Sequence, residues 1–296
     1  MLKTMTKRNS LLYFKDKGAF FTSMITPMIL LVLYVTFLEN VYRDSLVGMI
    51  PSGISVDEEL IDGCVSGQLL SALLAVCCVT VAFCSNLIMV QDKVTGARRD
   101  IEMTPSSPFL LSMSYFIATF LNTLLVCLIA SGLSLGYIAC VGWYLSFADV
   151  MAILLDVVML SLFGTALSSV INHYLSTQGQ ISAVSAIVSA VYGFLCGAYM
   201  PISTFSEGLR TALCFLPGTH GTSLLRNHAL NGVYEEMESV GIPEAMIQGI
   251  RDALDCNLYL FDHKISIGVM YCIMVCSIVL LIGVFLLISG KKRKLR

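Results

Sequence analysis

Residues 69–90 read LLSALLAVCCVTVAFCSNLIMV, a run without a single charged side chain. A helix rising about 1.5 Å per residue crosses about 30 Å of hydrocarbon in about 20 residues, so this run is long enough to span a bilayer. Five further apolar runs flank it, at about 20–38, 109–141, 150–171, 181–200 and 265–289. Mean hydropathy is +0.82 and 13% of the 296 residues are charged, which excludes a water-soluble domain. The expected fold is an all-α polytopic membrane protein, six transmembrane helices forming one domain over 1–296.

The segments between the runs sort their charges. Lys3, Lys7, Arg8, Lys15, Lys17, Lys93, Arg98, Arg99, Lys291, Lys292, Arg293, Lys294 and Arg296 fall on one side, 13 of the 18 basic residues. Arg43, Arg210, Arg226, Arg251 and Lys264 fall on the other, together with the 14 acidic groups from Glu39 through Asp62 and from Glu207 through Asp262. Short loops rich in Lys and Arg stay cytoplasmic. A multi-pass protein of the plasma membrane with both termini inside is therefore expected.

Residues 1–19 interleave Leu2, Met5, Leu11, Leu12 and Phe14 with basic residues, the pattern of a helix lying in the inner interface; a solvated basic tail is the alternative. The run that follows is full length and lacks a cleavage site, so it reads as a retained span. The outer loop Glu39–Gln68, with Pro51, Gly53, Gly63 and Gly67, is expected to be irregular. The third run, at 33 residues, tilts or projects beyond the bilayer. Trp143 and Tyr144 stand where an interfacial belt belongs. Pro201 ends the fifth run and opens an extracellular segment, 201–264. Its stretches Phe205–Leu216 and Gly221–Leu230, parted by Pro217-Gly218, are too short to cross and predict a re-entrant or surface-lying helix pair, followed by an acidic amphipathic stretch over Tyr234–Leu260.

No phosphate-cradling, zinc-hydrolase or nucleophile-elbow pattern occurs, so no catalytic residue, metal site or cofactor is assigned to this chain. The four histidines, His173, His220, His228 and His263, are scattered and read as interfacial. Eight of the eleven cysteines lie in apolar runs, where a thiol acts as a small hydrophobe. Cys64, Cys214 and Cys256 fall outside, as filler or with one disulfide among them. Asp156 alone is an acid well inside a run, where an unpaired charge costs roughly 2.5–3.5 kcal/mol. It reads as a hydrogen-bonded structural acid or, alternatively, a functional one; a proton-driven secondary transporter needs more such groups.

Two runs carry stripes of small and polar residues. Ser71, Ala75, Cys78, Ala82 and Ser85 share one helix face in the second; Ser182, Ser185, Ser189, Tyr192, Cys196 and Tyr199 do so in the fifth, with Val184 and Val188 off that face. Such faces permit close helix packing; the functional alternative is that Ser71, Cys78, Ser85, Ser182, Ser185, Ser189, Tyr192 and Tyr199 line a translocation path.

The segment Asp92-Lys93-Val94-Thr95-Gly96-Ala97-Arg98-Arg99-Asp100-Ile101-Glu102-Met103-Thr104-Pro105 resembles the loop between the second and third spans of type-2 ATP-binding cassette (ABC-2) exporter permeases. Those carry a charged pair, a Gly, a short helix containing an acid, and Thr-Pro at the spacing of Gly96 and Thr104-Pro105. Arg99 stands where that family often has an acid, with Asp100 next to it. After the fifth run, Pro201, Phe205-Ser206-Glu207-Gly208-Leu209, Pro217 and Arg226 are similar to a second family pattern, with Ser206 replacing one Pro.

The resemblance implies a permease embedded in membrane lipid, paired with itself or a similar permease. A separate ATP-binding cassette ATPase subunit would carry the ATP and Mg. It makes Asp92, Lys93, Gly96, Arg98, Arg99, Asp100 and Ile101 a cytoplasmic coupling helix, and Pro201, Pro217 and Arg226 markers of the extracellular helix pair. The second and fifth spans of both subunits would form the path for a lipophilic, drug-like, peptide or lipid substrate moved outward. The alternatives are a polysaccharide-exporting permease of the same family, a non-pumping immunity or regulatory protein, and an ordinary basic loop at 92–105. Nothing points to nucleic acid.

Overall fold

The computed structural model describes residues 1–49, 57–104, 107–261 and 263–290. They form α1 (Leu2–Lys15), α2 (Lys17–Leu33), a π turn (Tyr34–Leu38), α3 (Glu39–Met49), α4 (Glu58–Val94), α5 (Ala97–Glu102), α6 (Pro108–Val141), α7 (Phe147–Tyr174), α8 (Gln178–Leu195), a 3-10 turn (Ile202–Thr204), α9 (Glu207–Cys214), α10 (Pro217–Ser239), α11 (Glu244–Ala253) and α12 (Ile267–Gly290). Strands β1 (Tyr259–Leu260) and β2 (His263–Lys264) pair antiparallel between α11 and α12.

Five helices, α4, α6, α7, α8 and α12, are long and apolar enough to cross a membrane. A sixth crossing results if α1 and residues 20–33 count as one span bent by 69°. The expected run 20–38 thus divides into α2 and the π turn, and helix continues into α3. Pro27 lies within α2, where its missing N–H removes one intrahelical bond.

Helix α4 is the axis of the bundle. It is buried almost throughout, enclosed by α2, α6, α7, α8 and α10. The still more apolar α12 instead keeps Val279, Leu280 and Leu287 exposed. Side-chain size separates them: Ser, Ala, Cys and Gly on α4 let neighbouring backbones approach from every side, whereas the bulk on α12 suits contact with lipid chains.

Three expectations are corrected. The 39–68 stretch is not an irregular loop: α3 occupies its start and α4 begins at Glu58, while Pro51 and Gly53 lie outside the described residues. Gly63 and Gly67 do not break α4; they admit α10 and the α6–α7 turn, since a Cβ at Gly67 would stand 2.6 Å from Leu230 and one at Gly63 3.1 Å from Tyr144. The second helix of the expected pair neither ends near Leu230 nor lies on the surface. As α10 it runs to Ser239, buried against α4, α7 and α12, and Gly232 packs so closely that a Cβ would meet the Tyr144 carbonyl oxygen at 1.8 Å. Helix α8 stops at Leu195, short of Met200, because Gly197 takes φ +73° and turns the chain.

Candidate functional site

At its C-terminal end α4 presents two charged residues in succession, and the helix twist sends them to different neighbours. The Asp92 carboxylate is buried; it accepts from both Arg8 guanidinium nitrogens, one at 2.9 Å, and from the Tyr115 hydroxyl. Asp92 thereby ties α1 and α6 to α4. One residue on, the Lys93 ammonium donates to the carbonyls of Asn172, His173 and Leu175 at 3.0, 2.7 and 2.9 Å. A cation there satisfies the open carbonyls at the end of α7 and complements its dipole. The expected Asp92-Lys93 pair is therefore two separate anchors within the chain.

Gly96 follows at φ +85°, a left-handed conformation that costs glycine little, and starts α5 in a new direction. Arg98 pairs with Glu102 at 2.7 Å along α5, and Ile101 packs against the core. Arg99 and Asp100 are exposed, as is Met103 at 83%. Thr104 closes the turn onto the Ile101 carbonyl at 2.6 Å; Pro105 lies outside the described residues. The segment is a short helix held from beneath by one apolar side chain and presenting charge outward.

The two stripes part company. Ser71, Cys78 and Ser85 are all buried inside the chain. Ser71 donates to the Gln68 carbonyl at 2.8 Å, the Cys78 thiol faces the Val157 carbonyl at 3.8 Å, and Ser85 accepts from Asn122 at 3.0 Å. This face receives α7 so closely that a Cβ at Gly164 would stand 2.8 Å from the Cys78 carbonyl oxygen. It is a seam, extended by Asn86 donating to Ser168 and Ser169 at 3.1 Å each.

On α8, Ser182 is exposed while Ser185 and Ser189 are half-buried. Val184 and Val188, expected off the striped face, pack inward beside the two serines, because positions 181, 184, 185, 188 and 192 share one side of the helix. Tyr192 belongs to that side. Tyr199 does not: it lies beyond the helix end and folds back to donate to the Ser189 carbonyl at 3.1 Å.

At the opposite end, Arg226 is the largest fully buried side chain. It pairs with Asp255 at 3.1 Å and donates to the Gly197 carbonyl, while Asp255 accepts from the amides of Ile202 and Ser203. Burial pushes the Asp255 carboxyl up, opposed by the guanidinium and the two amides. Pro201 precedes the 3-10 turn that supplies those amides, and Pro217 is the first residue of α10. All eleven cysteines are free; Cys64, Cys214 and Cys256 are each buried, and burial pushes the Cys256 thiol up to about 11.

Asp156 has two partners that spacing did not reveal. His228 Nδ1 stands 2.6 Å from one carboxylate oxygen and the Tyr271 hydroxyl donates to the other at 2.6 Å, joining α7, α10 and α12. His228 is thus a packed contact between helices rather than an interfacial residue. The one signal for it was the rule that an intramembrane acid has a partner; the rule does not say which residue.

No curated protein matches the chain at a significant level. The family model of the ABC-2 family transporter protein matches residues 54–288. That match runs from just before α4 into the last turn of α12, and the chain therefore belongs to the ABC-2 transporter family, as a multi-pass permease subunit of an ABC transporter.

Proposed function

We propose that this chain forms the membrane path of an ATP-driven exporter for lipophilic or peptide-like substrates, working as a dimer, and that its partner ATPase docks at α5. The observation that carries the reading is the joining of α5 to α4. A helix of 37 residues is about 55 Å long, and this one touches most of the bundle. A push on Ile101 and the Gly96 turn enters α4 directly, and Asp92 and Lys93 pass it to α1, α6 and α7. Arg99 and Asp100 offer an acceptor groove both signs of charge. The outward side of α8, with Ile187, Val191 and Phe194 exposed, is the surface on which a second copy would complete the path.

The test is co-expression with the ATP-binding cassette ATPases encoded in the same genome. The double variant Arg99→Ala/Asp100→Ala leaves the Arg98–Glu102 pair that supports α5. Insertion and dimerisation should persist while ATP hydrolysis no longer drives transport. Unchanged transport with the ATPase still bound would reduce α5 to an ordinary basic loop, and failure of any such ATPase to co-purify would remove the exporter reading.

A further inference from the structure

A pocket of about 330 Å³ lies where α7, the end of α8, the start of α10 and α12 meet. Its wall is almost wholly apolar, including Phe163, Leu167 and Leu281. Phe163 stands about 24 Å along the 28-residue α7, itself about 42 Å long, so the pocket sits near the middle of the spans. Its rim includes Leu195, Leu216 and Leu280, each exposed, Leu280 at 64%. In a bilayer such a mouth opens sideways to hydrocarbon.

One hydroxyl of the wall has no strong partner. The Tyr192 hydroxyl is buried and unpaired with any oxygen or nitrogen among the described residues, set against the Cys196 thiol one turn on, a weak acceptor. The other hydroxyls of the wall are committed: Thr219 to the Leu213 and Leu195 carbonyls at 2.8 and 3.2 Å, Ser277 to the Ile273 carbonyl at 2.7 Å. Tyr192 is seated on the first turn of α10, where a Cβ at Gly218 would stand 2.8 Å from the hydroxyl oxygen. Leu216, the residue before that helix, offers no side-chain cap to its open amides. A phenol donor over the positive end of a 23-residue helix favours an acceptor atom. The surrounding hydrocarbon disfavours a full charge.

We propose that this pocket binds a neutral lipophile dissolved in the membrane, through one carbonyl-type oxygen held by the Tyr192 hydroxyl. The site stands on its own geometry; only its use as a station for transported substrate rests on the exporter reading. The stripe pattern on α8 suggests a path between subunits for Tyr192. The pocket is instead within one chain and entered from lipid.

The experiment uses the full chain in nanodiscs without the ATPase, and two photoreactive probes of equal chain length, a diazirine fatty amide and a diazirine alkane. Cross-links are mapped by mass spectrometry at Phe163, Leu167 and Leu281. The amide should label these positions well above lipid-facing Leu287. Tyr192→Phe should lower amide labelling there about tenfold, the effect of one unmade buried hydrogen bond, and leave the alkane unchanged. Leu281→Trp, which fills the pocket without touching the hydroxyl, should lower both. Labelling no stronger than at Leu287, or an equal response of both probes to Tyr192→Phe, would overturn the proposal. Because no ATPase is present, a failed labelling result leaves the exporter reading intact, and failure of ATPase association leaves the pocket intact.

Discussion

Replacing Asp255 by Asn tests whether the Arg226 cluster holds the end of the bundle opposite α5. Asn keeps an acceptor for the Ile202 amide and tolerates the φ of 54° at this position, so the change removes the charge and, by turning an NH2 toward Ser203, one acceptor. The Arg226 side chain is 1% exposed, its Nε has no partner among the described residues, and only the Gly197 carbonyl and one neutral amide oxygen would remain to it. Removing one member of a buried ion pair costs about 3–5 kcal/mol. At about 2–4 °C per kcal/mol for a chain of this size, the apparent midpoint should fall by about 10 °C. The assay is thermal exposure of the buried thiols Cys214 and Cys256 to a thiol-reactive dye in detergent. The decisive comparison is with the double variant Arg226→Met/Asp255→Asn, which removes both charges and should recover most of the loss. If the single variant stays within about 1 °C of the parent, or the double variant loses the sum of the two single losses, the pair does not hold this end and the reasoning fails.

Gly232→Ala should give no folded protein, because the added carbon meets backbone at the Tyr144 carbonyl rather than a side chain that can swing away; monodisperse elution from gel filtration would contradict this. Lys93→Ala should cost about 1 kcal/mol, with faster hydrogen exchange confined to residues 172–175 at the end of α7. Asp156→Leu strands His228 and Tyr271 together, and should lower the thermal midpoint more than Asp156→Asn, which still accepts from Tyr271; equal midpoints would deny the contact a structural part. Single cysteines at positions 57 and 240 in a cysteine-free background should label from outside and one at position 95 only after permeabilisation, and labelling of 95 from outside would invert the topology.

Much of the bundle is determined by local sequence. Each of the runs 69–90, 109–141 and 150–171 lies within a helix, as does 265–289 but for its first two residues, because a spanning segment must satisfy its own backbone and transfer its own side chains, both properties of the segment alone. The local shape of the 92–104 segment was legible for a similar reason: Gly96 fixes a left-handed turn and Ile101 an inward position without help from distant residues.

Which helix lies at the centre was not legible. Protein interior and lipid are both apolar, so hydropathy, which ranks α12 above α4, does not report burial, and only packing shows that small side chains enclose α4 while bulk leaves α12 exposed. The length of α10 was hidden because Thr219, His220, Arg226 and His228 read as an outer, polar segment until Leu195, Cys214, Asp255 and Asp156 are found opposite them. The partners of Asp156 come from 72 and 115 residues away. A buried charge demands a partner wherever it lies, but its identity is decided by which helices meet at that depth, and that depends on the packing of the whole chain.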